Sequence, residues 1–313
     1  MKRLTKVSTA EMSREEWLDK RRRTIGGSDA AGIVGLSRYT TPYTVFLDKT
    51  GRLPEKPESE AMRLGRDLED YVARRWMEAT GKKVRRVRAM LYNPAYPFAH
   101  ADVDRMVVGE EAGLECKTTS ALDLRQFRSV EFPEKYYAQC VHYMAVTGAI
   151  RWYLAVLVFG QGFFTYTLER DGGEIDALMG AEEAFWVRVE RDDPPTPEGS
   201  DADGEAIATI YAESAEGEME LFGREAMLDE YTILRRQKSA LEERLSEIAN
   251  IIKADMKELP FGRAGRFSVS WKSQQRNRFS LEAFQADYPE LDLGKYIKTT
   301  TTRPFKVTEN REE

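Results

Sequence analysis

A glycine-containing turn at residues 109–113 separates two segments that alternate like β-strands, residues 99–108 and 114–118. Strand-like segments this close in sequence commonly pair as an antiparallel hairpin. If the turn is centred on residues 109 and 110, the register places Asp104 directly opposite Glu115. The sequence therefore predicts a hairpin that brings two carboxylates together.

The strand after the turn contains Glu115, Cys116 and Lys117 in succession. Because strand residues two apart share a face, Glu115 and Lys117 point to one side of the sheet and Cys116 to the other. Two carboxylates on one face repel each other unless a cation lies between them, and Mg²⁺ prefers oxygen ligands. A lysine beside them can orient an attacking water and offset the charge of a phosphate. The pattern predicts a metal-dependent phosphodiesterase site, although an ordinary exposed hairpin with a surface ion pair fits the same residues.

The composition excludes most other kinds of metal centre. The 313-residue chain has two cysteines, Cys116 and Cys140, and two histidines, His100 and His142. These are too few for a disulfide scaffold, a cysteine-rich zinc site, a four-cysteine iron–sulfur cluster or a multi-histidine centre. A metal would have to be held mainly by oxygen ligands, as Mg²⁺ and Mn²⁺ are. We expect His142 at the edge of the core and treat an approach of His100 to the metal as open.

Charge is distributed unevenly along the chain. The net charge is −6, but residues 190–230 contain 14 acidic and 2 basic residues, so the rest of the chain carries a net charge of +6. Basic residues cluster at positions 20–23 and 74–88. A basic groove that binds a nucleic acid is therefore compatible with this acidic protein.

The sequence pattern divides the chain into four regions. Residues 1–190 combine amphipathic helices with strand-like segments, among them residues 83–91 and 99–108, and indicate a mixed α/β domain. Residues 191–223 are rich in acidic residues and proline, as linkers are. Residues 224–259 predict one long charged helix. Residues 260–313 predict a small α+β region, with strand-like segments at 266–271 and 303–307 around a short helix at 281–287. The basic and aromatic residues of this last region fit either contact with DNA or a partner, or a small folded subdomain with a solvated basic edge.

The long helix repeats apolar residues every seven positions, at Leu234, Leu241 and Ile248, with Leu245 and Ile252 between them. Two interpretations fit this pattern. We favour a helix that packs on its own domain, because a paired coiled coil needs a longer unbroken seam. The coiled coil is the alternative.

Helical spacing brings three more polar side chains into consideration. Glu69 borders the apolar face of a helix predicted over residues 61–80, from which it can project into a site or remain an ordinary surface acid. Gln139 and Tyr143 are one turn apart on a helix predicted over residues 134–147 and therefore share a face. An amide and a phenol there can position a nucleotide or a water, or can simply border the core.

Arg21 lies shortly before Gly26, Gly27 and Ser28, and Ser28 is the predicted N-cap of a short helix. Backbone N–H groups and a hydroxyl at a helix start bind anions, and Arg21 can add a bidentate phosphate contact. Ordinary helix capping is the alternative interpretation, because Asp29 would repel a phosphate.

The motifs R-x4-G-G-S, G-x3-E, D-R, E-C-K and Q-x3-Y follow one another between Arg21 and Tyr143. In order and spacing they resemble the lambda-type exonuclease, or YqaJ-like viral recombinase, family, which belongs to the RecB-like nucleases. The resemblance covers residues 15–170. It implies a restriction-endonuclease-like α+β core with a mixed central sheet flanked by helices, to which the long helix and the small C-terminal region are added.

The resemblance also implies an activity. Family members are Mg²⁺- or Mn²⁺-dependent exonucleases of phage or prophage recombination that digest one strand of linear double-stranded DNA from 5′ to 3′. They leave single strands for an annealing protein. The implied enzyme uses two metal ions, forms a ring-shaped homo-oligomer such as a trimer, and acts in the cytoplasm of a bacterial host. Residues 1–17 lack the apolar core of a signal peptide, and no stretch has the ~20 apolar residues of a membrane span, in agreement with that location.

Roles in metal binding and catalysis follow from the same resemblance. Asp104 and Glu115 match the two metal-binding carboxylates, and the main-chain carbonyl of Cys116 would be a further ligand. Glu69 matches the helical acid near the second metal. Lys117 matches the catalytic lysine. The implied chemistry is metal-assisted hydrolysis of a phosphodiester.

The remaining motifs match the substrate-binding part of the family site. Gln139 and Tyr143 match the last motif, and Arg21 and Ser28 match the pocket for a 5′-phosphate. The chain departs from the family at Asp102, because lambda-type members have a serine at this position. An acid there weakens a phosphate pocket and therefore argues against a strict dependence on a 5′-phosphate.

Two other functions compete with the exonuclease. A structure- or site-specific endonuclease on the same core would cut circular DNA, whereas an exonuclease needs an end. A DNA-end-binding adaptor without catalysis would recruit an annealing protein through the long helix and the C-terminal region. The intact set of Asp104, Glu115 and Lys117 argues against the adaptor.

Overall fold

The computed structural model describes residues 4–55, 57–120, 127 and 131–309. It divides the chain into two compact units, the first ending at Tyr211 and the second beginning at Ala212. Within these described ranges, no helix is long and apolar enough to cross a membrane. The elements of the first unit, in chain order, are β1 (Thr5–Ser8), α1 (Arg14–Arg22), β2 (Ile25–Gly26), α2 (Gly27–Ile33), α3 (Pro42–Lys49), α4 (Glu60–Thr80), β3 (Val84–Arg86), β4 (Ala89–Tyr92), β5 (Ala99–Ala101), β6 (Arg105–Val107), β7 (Ala112–Thr119), α5 (Glu134–Thr147), β8 (Arg151–Val158), β9 (Gly162–Glu169), α6 (Gly172–Glu190) and α7 (Asp201–Ile210).

A five-stranded mixed sheet in the order β3-β6-β7-β8-β9 forms the centre of the first unit. β7 and β8 run parallel because α5 connects them as a crossover, whereas the other pairs are antiparallel. Strand alternation sends Leu114 and Tyr153 to one face, where Trp76 of α4 packs against them. The opposite face carries Trp152, which packs against Tyr143 of α5. The predicted α+β architecture, a mixed sheet flanked by helices, is confirmed.

Two glycines allow close packing around Tyr143. A Cβ atom at Gly113 of β7 would lie 2.3 Å from the ring of Trp152, and a Cβ atom at Gly27 of α2 would lie 2.5 Å from the ring of Tyr143 itself. No side chain fits at either position unless the rings move. The second glycine of the Gly-Gly-Ser motif is therefore required by packing on α5.

The second sheet of the first unit has the order β1-β4-β5-β2. Two segments that alternate like single strands in the sequence are split between the sheets. Residues 83–91 contribute to β3 and β4, and residues 99–108 contribute to β5 and β6. The prediction of one continuous strand at each segment is wrong, because the polar–apolar alternation continues through the break. The second break places Asp102 and Asp104 in the connection between the two sheets.

The predicted register of the hairpin is confirmed. Arg105 of β6 lies opposite Leu114 of β7, and Met106 lies opposite Gly113. This is the register that aligns position 104 with position 115, although Asp104 itself precedes β6. The predicted helix over residues 134–147 coincides with α5, and α4 begins one residue before the predicted start.

The start of α2 differs from the prediction. Gly26, and not Ser28, is the N-cap residue, so Ser28 lies inside the first turn. The reason is Asp29, whose carboxylate Oδ2 accepts a hydrogen bond of 2.9 Å from the N–H of Gly26. The Ser28 hydroxyl is thereby left available for another partner.

The acidic segment at residues 191–223 contains α7, which belongs to the first unit. Ser200 caps α7 by accepting a hydrogen bond from the N–H of Asp203 at 3.2 Å. The buried Asp203 carboxylate accepts bonds from the hydroxyl of Thr41 and from the N–H of Glu198. These bonds attach α7 to the residue before α3, and the first unit therefore extends to Tyr211.

The second unit is built around one long helix. Its elements are α8 (Glu225–Met256), β10 (Phe261–Ala264), β11 (Phe267–Ser270), α9 (Leu281–Asp287) and a 3₁₀ turn at Gly294–Tyr296. β10 and β11 form an antiparallel hairpin, and α9 coincides with the predicted short helix. Residues 303–307 were expected to form a strand but have no regular secondary structure. Pro304 within them has no N–H to donate to a ladder.

Most of the apolar row of α8 is exposed, contrary to the favoured expectation that the helix packs on its own domain. Leu241 and Leu245 are each 66% exposed, and Met256 is the buried residue of the helix. The hairpin approaches α8 at that end, where a Cβ atom at Gly262 would lie 3.6 Å from the Met256 sulfur. The rest of the row is left without a cover from the hairpin.

Candidate active site

One cavity of about 450 Å³ in the first unit brings together the predicted site residues. It lies where α1, α2, α4 and α5 meet the connection between the two sheets. The cavity is lined by Arg21, Ser28, Glu69, Asp104, Glu115, Lys117, Gln139 and Tyr143, and also by Trp17, His100, Asp102, Arg86 and Arg105. Residues from these four helices and from the strands β3, β6 and β7 therefore converge on one space.

Glu115 lies at the base of the cavity and is 2% exposed. Its Oε1 accepts hydrogen bonds from Lys117 Nζ at 2.6 Å and from Gln139 Nε2 at 2.8 Å. Gln139 Nε2 also lies 2.9 Å from the hydroxyl oxygen of Tyr143, one turn further along α5. Glu115 Oε2 is buried and has no hydrogen-bond partner among the described residues. One carboxylate oxygen is thus held firmly and the other is left for a ligand.

Asp104 reaches the same space from the other side of the hairpin. Its Oδ2 accepts a hydrogen bond of 2.8 Å from the N–H of Cys116. Burial, together with the charges of Glu115 and Glu69, raises the pKa of Asp104 well above its usual range. Burial also raises the pKa of Glu115, although the ammonium group of Lys117 opposes this shift. Burial is therefore the main cause of both shifts, and at Asp104 the charges of Glu115 and Glu69 outweigh that of Lys117.

Lys117 is the cation at the centre of the site. Burial disfavours its charged form, but the carboxylates of Glu115 and Asp104 outweigh that effect and raise the pKa of Lys117. Its ammonium nitrogen also lies 5.5 Å from the centre of the Tyr136 ring. Lys117 is therefore held as a cation between an acid and an aromatic face.

Two arginines that the sequence analysis did not single out fix Glu69. The Glu69 carboxylate pairs with the guanidinium of Arg105 and lies 3.3 Å from that of Arg86. Arg105 is buried and also binds Asp70 at 2.5 Å. Arg105 directly follows Asp104 in the D-R motif, which is the one sequence signal for its role. Glu69 is thus oriented by two cations from the neighbouring strands β3 and β6.

The side chains at the start of α2 form a second part of the cavity. Arg21 donates a hydrogen bond of 2.8 Å to Ser28 Oγ, and its guanidinium lies 4.9 Å from the centre of the Trp17 ring. Asp29, expected to repel a phosphate, is paired with the buried Lys49 at 2.5 Å and lies 3.6 Å from Arg21. Burial opposes ionisation of Asp29, but these two cations lower its pKa to about 2. Lys49 thus compensates the charge of Asp29, a role that the sequence did not reveal.

Asp102 and the two histidines complete the surroundings. Trp17 Nε1 donates a hydrogen bond of 2.8 Å to Asp102 Oδ2, while burial raises the pKa of Asp102. His100 lines the cavity, but its Nδ1 is engaged with Thr24 Oγ1 at 2.9 Å and burial lowers its pKa to about 3. His142 is not at the edge of the core as expected. It is fully buried where α5 packs on α6, and Glu182 of α6 lies 2.8 Å from its Nδ1. This partner allows the polar ring to be buried.

The donor atoms of the cavity suit a divalent cation. Among the side chains that the structure describes, no group of three or more His, Cys, Asp and Glu is already arranged as a metal cluster. The chemistry nevertheless fits, since Glu115 Oε2 lacks a partner and the charges of Glu115 and Glu69 help to raise the pKa of Asp104. Carboxylate oxygens with unsatisfied negative charge are the ligands that Mg²⁺ and Mn²⁺ take.

Comparison with known proteins agrees with the motifs. The model of the YqaJ-like viral recombinase domain matches residues 16–150, a range that includes every candidate residue from Arg21 to Tyr143. The uncharacterized protein YqaJ of Bacillus subtilis (strain 168) is 40% identical to this chain over 310 residues, which make up 97% of each protein.

Two solved structures show a weaker likeness. The alkaline exonuclease LHK-Exo from Laribacter hongkongensis is 20% identical with a TM-score of 0.49, over 57% of this chain and 94% of its own. A phage related exonuclease from Haemophilus somnus 129PT is 13% identical with a TM-score of 0.40, over 54% of this chain and 96% of its own. The 40% identity with YqaJ, which extends over nearly the full length of both chains, decides the classification. This chain belongs to the YqaJ-like viral recombinase family.

Proposed function

We propose that the chain is a divalent-metal-dependent DNA exonuclease that digests one strand of linear double-stranded DNA from its 5′ end during phage or prophage recombination. The observation that carries this proposal is the convergence of Asp104, Glu115 and Lys117 on one cavity. A buried acid with an unpartnered oxygen, a second acid and an ammonium group at 2.6 Å have the composition of a phosphodiesterase site. The description of the family as viral recombinases supports a role in DNA recombination.

The proposed cofactor is Mg²⁺ or Mn²⁺. When bound, such an ion supplies positive charge that neutralises the acids and polarises the scissile phosphate. Asp104 and Glu115 would hold it, with the main-chain carbonyl of Cys116 as a further ligand. Glu69 would face a second ion, and the bonds from Arg105 and Arg86 orient its carboxylate for that task.

Lys117 is the side chain that we expect to touch the reacting atoms. Lys117 lines the cavity, and 27% of its side chain is exposed. A cation at this position donates a hydrogen bond to the attacking water and offsets the charge that develops on the phosphate. Gln139 and Tyr143 act through Glu115, because the amide of Gln139 bonds to Oε1 and is itself fixed beside the phenol. They are positioning residues for the carboxylate.

Arg21 and Ser28 form the proposed site for the DNA end. The hydrogen bond to Ser28 and the stacking on Trp17 fix the guanidinium before a substrate arrives. A fixed guanidinium binds a terminal phosphate without losing further side-chain freedom. Asp102 lies in the same wall and lowers the attraction for a dianion. We therefore expect a moderate preference for 5′-phosphorylated ends and not an absolute requirement.

The proposed activity implies partners. Digestion of one strand releases a single strand that an annealing protein would receive, and a ring-shaped homo-oligomer such as a trimer would hold the duplex during repeated cleavage. A phage recombination nuclease acts on DNA in the cytoplasm of its bacterial host, so we expect this chain there.

An endonuclease on the same core is the second candidate. The observation in its favour is Asp102, because an acid in the end-binding part weakens recognition of a phosphorylated end. An adaptor without catalysis has no comparable support, since it gives no reason for a lysine that pairs with a buried acid beside a second acid in one cavity.

The experiment that separates these functions compares three substrates in Mg²⁺. Linear 5′-phosphorylated, linear unphosphorylated and nicked circular duplexes of the same sequence are incubated with the full chain and with a Lys117→Ala variant. The exonuclease predicts loss of both linear duplexes, the phosphorylated one faster, and an intact closed strand of the circle. Cutting of the closed strand, which linearises the nicked circle, would indicate the endonuclease, and no digestion by either protein would indicate the adaptor.

A further inference from the structure

The second unit presents a continuous apolar seam along α8. Residues at alternating intervals of four and three lie on one stripe of the helix, and seven of these eight side chains are apolar. They are Met227, Tyr231, Leu234, Lys238, Leu241, Leu245, Ile248 and Ile252. The helix has 32 residues and a length of roughly 48 Å, enough for more than three heptads. This seam is longer than the seven-residue repeat of leucines alone indicates.

The seam is exposed along most of its length. Met227 is 58% exposed and Leu234 is 53% exposed, and the two central leucines, Leu241 and Leu245, are more exposed still. Tyr231 has a ring partner in Phe305, at 5.5 Å between ring centres, near the start of the helix. An apolar stripe of this extent marks an interaction surface.

The charges beside the seam fit a second copy of the same helix in parallel orientation. In a parallel pair, the residue that directly precedes the seam residue Tyr231, and its equivalents every seven residues, face the residue five places later on the other helix. This register pairs Glu230 with Arg235 of the second copy. Because the pair is symmetric, the attraction between Glu230 and Arg235 occurs twice. The other facing pairs along the exposed seam, Gln237 with Glu242 and Arg244 with Ala249, contain no like charges.

The opposite orientation fits less well. An antiparallel pair centred on Leu241 and Leu245 would bring Arg244 towards Arg244 of the second copy and Glu242 towards its own counterpart. Like charges beside an apolar seam are destabilising and select against that arrangement.

Lys238 interrupts the apolar seam at one position. A single lysine at such a position costs stability but fixes the register and the number of helices, because it has to face its counterpart and reach solvent. Its ammonium group lies 3.7 Å from Glu242, one turn along the same helix, which reduces the repulsion between two facing lysines. The interruption therefore favours a defined pair over an unspecific aggregate.

We propose that α8 is a self-association helix, through which two copies of this chain pair as a parallel coiled coil along the seam from Met227 to Ile252. The inference does not depend on the nuclease activity. It places an association surface outside the catalytic unit, in addition to any ring that the nuclease units form.

The first test measures the mass of the full chain in solution. Leu241→Glu combined with Leu245→Glu should raise the dissociation constant of the pair at least about 100-fold, because buried leucines become charged. The matched control, Ser239→Glu with Ser246→Glu, adds the same charges outside the seam and should keep the wild-type mass. Light scattering after gel filtration gives the masses, and circular dichroism checks that all three chains keep their helix content.

The second test addresses orientation by charge exchange. Glu230→Arg alone and Arg235→Glu alone should each weaken pairing about tenfold, and the double exchange should restore it. Residues five apart do not face each other on one helix, so a restored affinity has to come from the second copy.

A cysteine scan gives the register. The Leu241→Cys chain should form a disulfide-linked pair under mild oxidation, with the wild type as background because Cys140 is buried and Cys116 is half-buried. Three outcomes would overturn the proposal. These are a monomeric wild type at tens of micromolar, a seam variant with the wild-type mass, and Leu241→Cys chains that link only to Leu245→Cys chains, as in an antiparallel pair.

Discussion

The main-chain N–H of Cys116 donates a hydrogen bond of 2.8 Å to the carboxylate of Asp104. Asp104 directly precedes β6, so this bond extends the contact between the two strands by one step beyond the N-terminal end of β6. It holds one acid by the backbone of β7, while Glu115 and Lys117, on either side of Cys116, both direct their side chains into the cavity. One strand therefore arranges all three groups of the proposed site.

Replacing Asp104 should separate activity from stability. Asp104→Asn removes a proposed metal ligand, so cleavage of linear DNA should fall by about 10²–10³-fold or more. The thermal unfolding midpoint in EDTA should not fall, because the amide removes repulsion among buried acids. Asp67→Asn, an exposed acid on α4 outside the cavity, is the control. Equal cleavage by Asp104→Asn and the wild type would remove Asp104 from the site.

Magnesium should stabilise the wild-type protein through the same acids. At ten times its dissociation constant, an ion that binds the folded chain alone adds ~1.4 kcal/mol to the free energy of unfolding. The accompanying rise in the unfolding midpoint should be lost in Asp104→Asn and in Glu115→Gln. Differential scanning fluorimetry in Mg²⁺ and in EDTA measures it. A rise of the same size in all three proteins would place the ion elsewhere.

Lys117→Ala should lose about 10²–10³-fold in the cleavage rate, because a preorganised cation at the scissile phosphate is removed. Binding of DNA in Ca²⁺, whose looser coordination is expected to prevent cleavage, should change little. Lys6→Ala, on an exposed edge strand of the second sheet, controls for the loss of one positive charge. A Lys117→Ala protein that digests DNA normally would exclude hydrolysis at this cavity.

Arg21→Ala should weaken binding of DNA that has a 5′-phosphate at its end. We expect the KM for 5′-phosphorylated linear DNA to rise about tenfold or more, since a charge-assisted contact is lost, while 5′-hydroxyl DNA is affected little. Arg23→Ala is the control, because Arg23 is exposed and pairs with Asp19. Parallel losses on both kinds of end would indicate that Arg21 supports the fold and not the end.

The pair of His142 and Glu182 should make stability depend on pH. Burial opposes protonation of His142, but Glu182 outweighs it and raises the pKa of His142. The stabilisation is complete below the unfolded pKa of about 6.5 and is lost as pH rises through the higher folded pKa. His100, with a pKa of about 3, stays neutral throughout this range. The free energy of unfolding, measured in urea from pH 6 to 9, should fall more steeply in the wild type than in His142→Gln. Parallel curves would show that His142 is neutral in the folded chain.

Local sequence patterns predicted the parts of the site that depend on spacing. The turn between β6 and β7 predicted the register that aligns Asp104 with Glu115. Strand alternation predicted that Glu115 and Lys117 share a face, and helical spacing predicted that Gln139 and Tyr143 do. Each of these relationships lies within one element or across one short turn. Periodicity contains the necessary information in such cases.

Contacts between distant elements were not predictable in the same way. Arg105 reaches Glu69 across 36 positions, and Lys49 approaches Asp29 from another helix. No spacing rule connects such residues. The break at residues 102–104 was also missed, because alternation of side chains continues through a point where the backbone changes sheets.

The most direct test of the account is the cleavage rate of Glu115→Gln. A 5′-phosphorylated, end-labelled linear duplex is digested in Mg²⁺ under single-turnover conditions by this variant and by the wild type, after equal DNA binding has been shown in Ca²⁺. A divalent ion held by Glu115 predicts a rate at least about 10²–10³-fold lower in the variant. A rate equal to that of the wild type would contradict the proposed site.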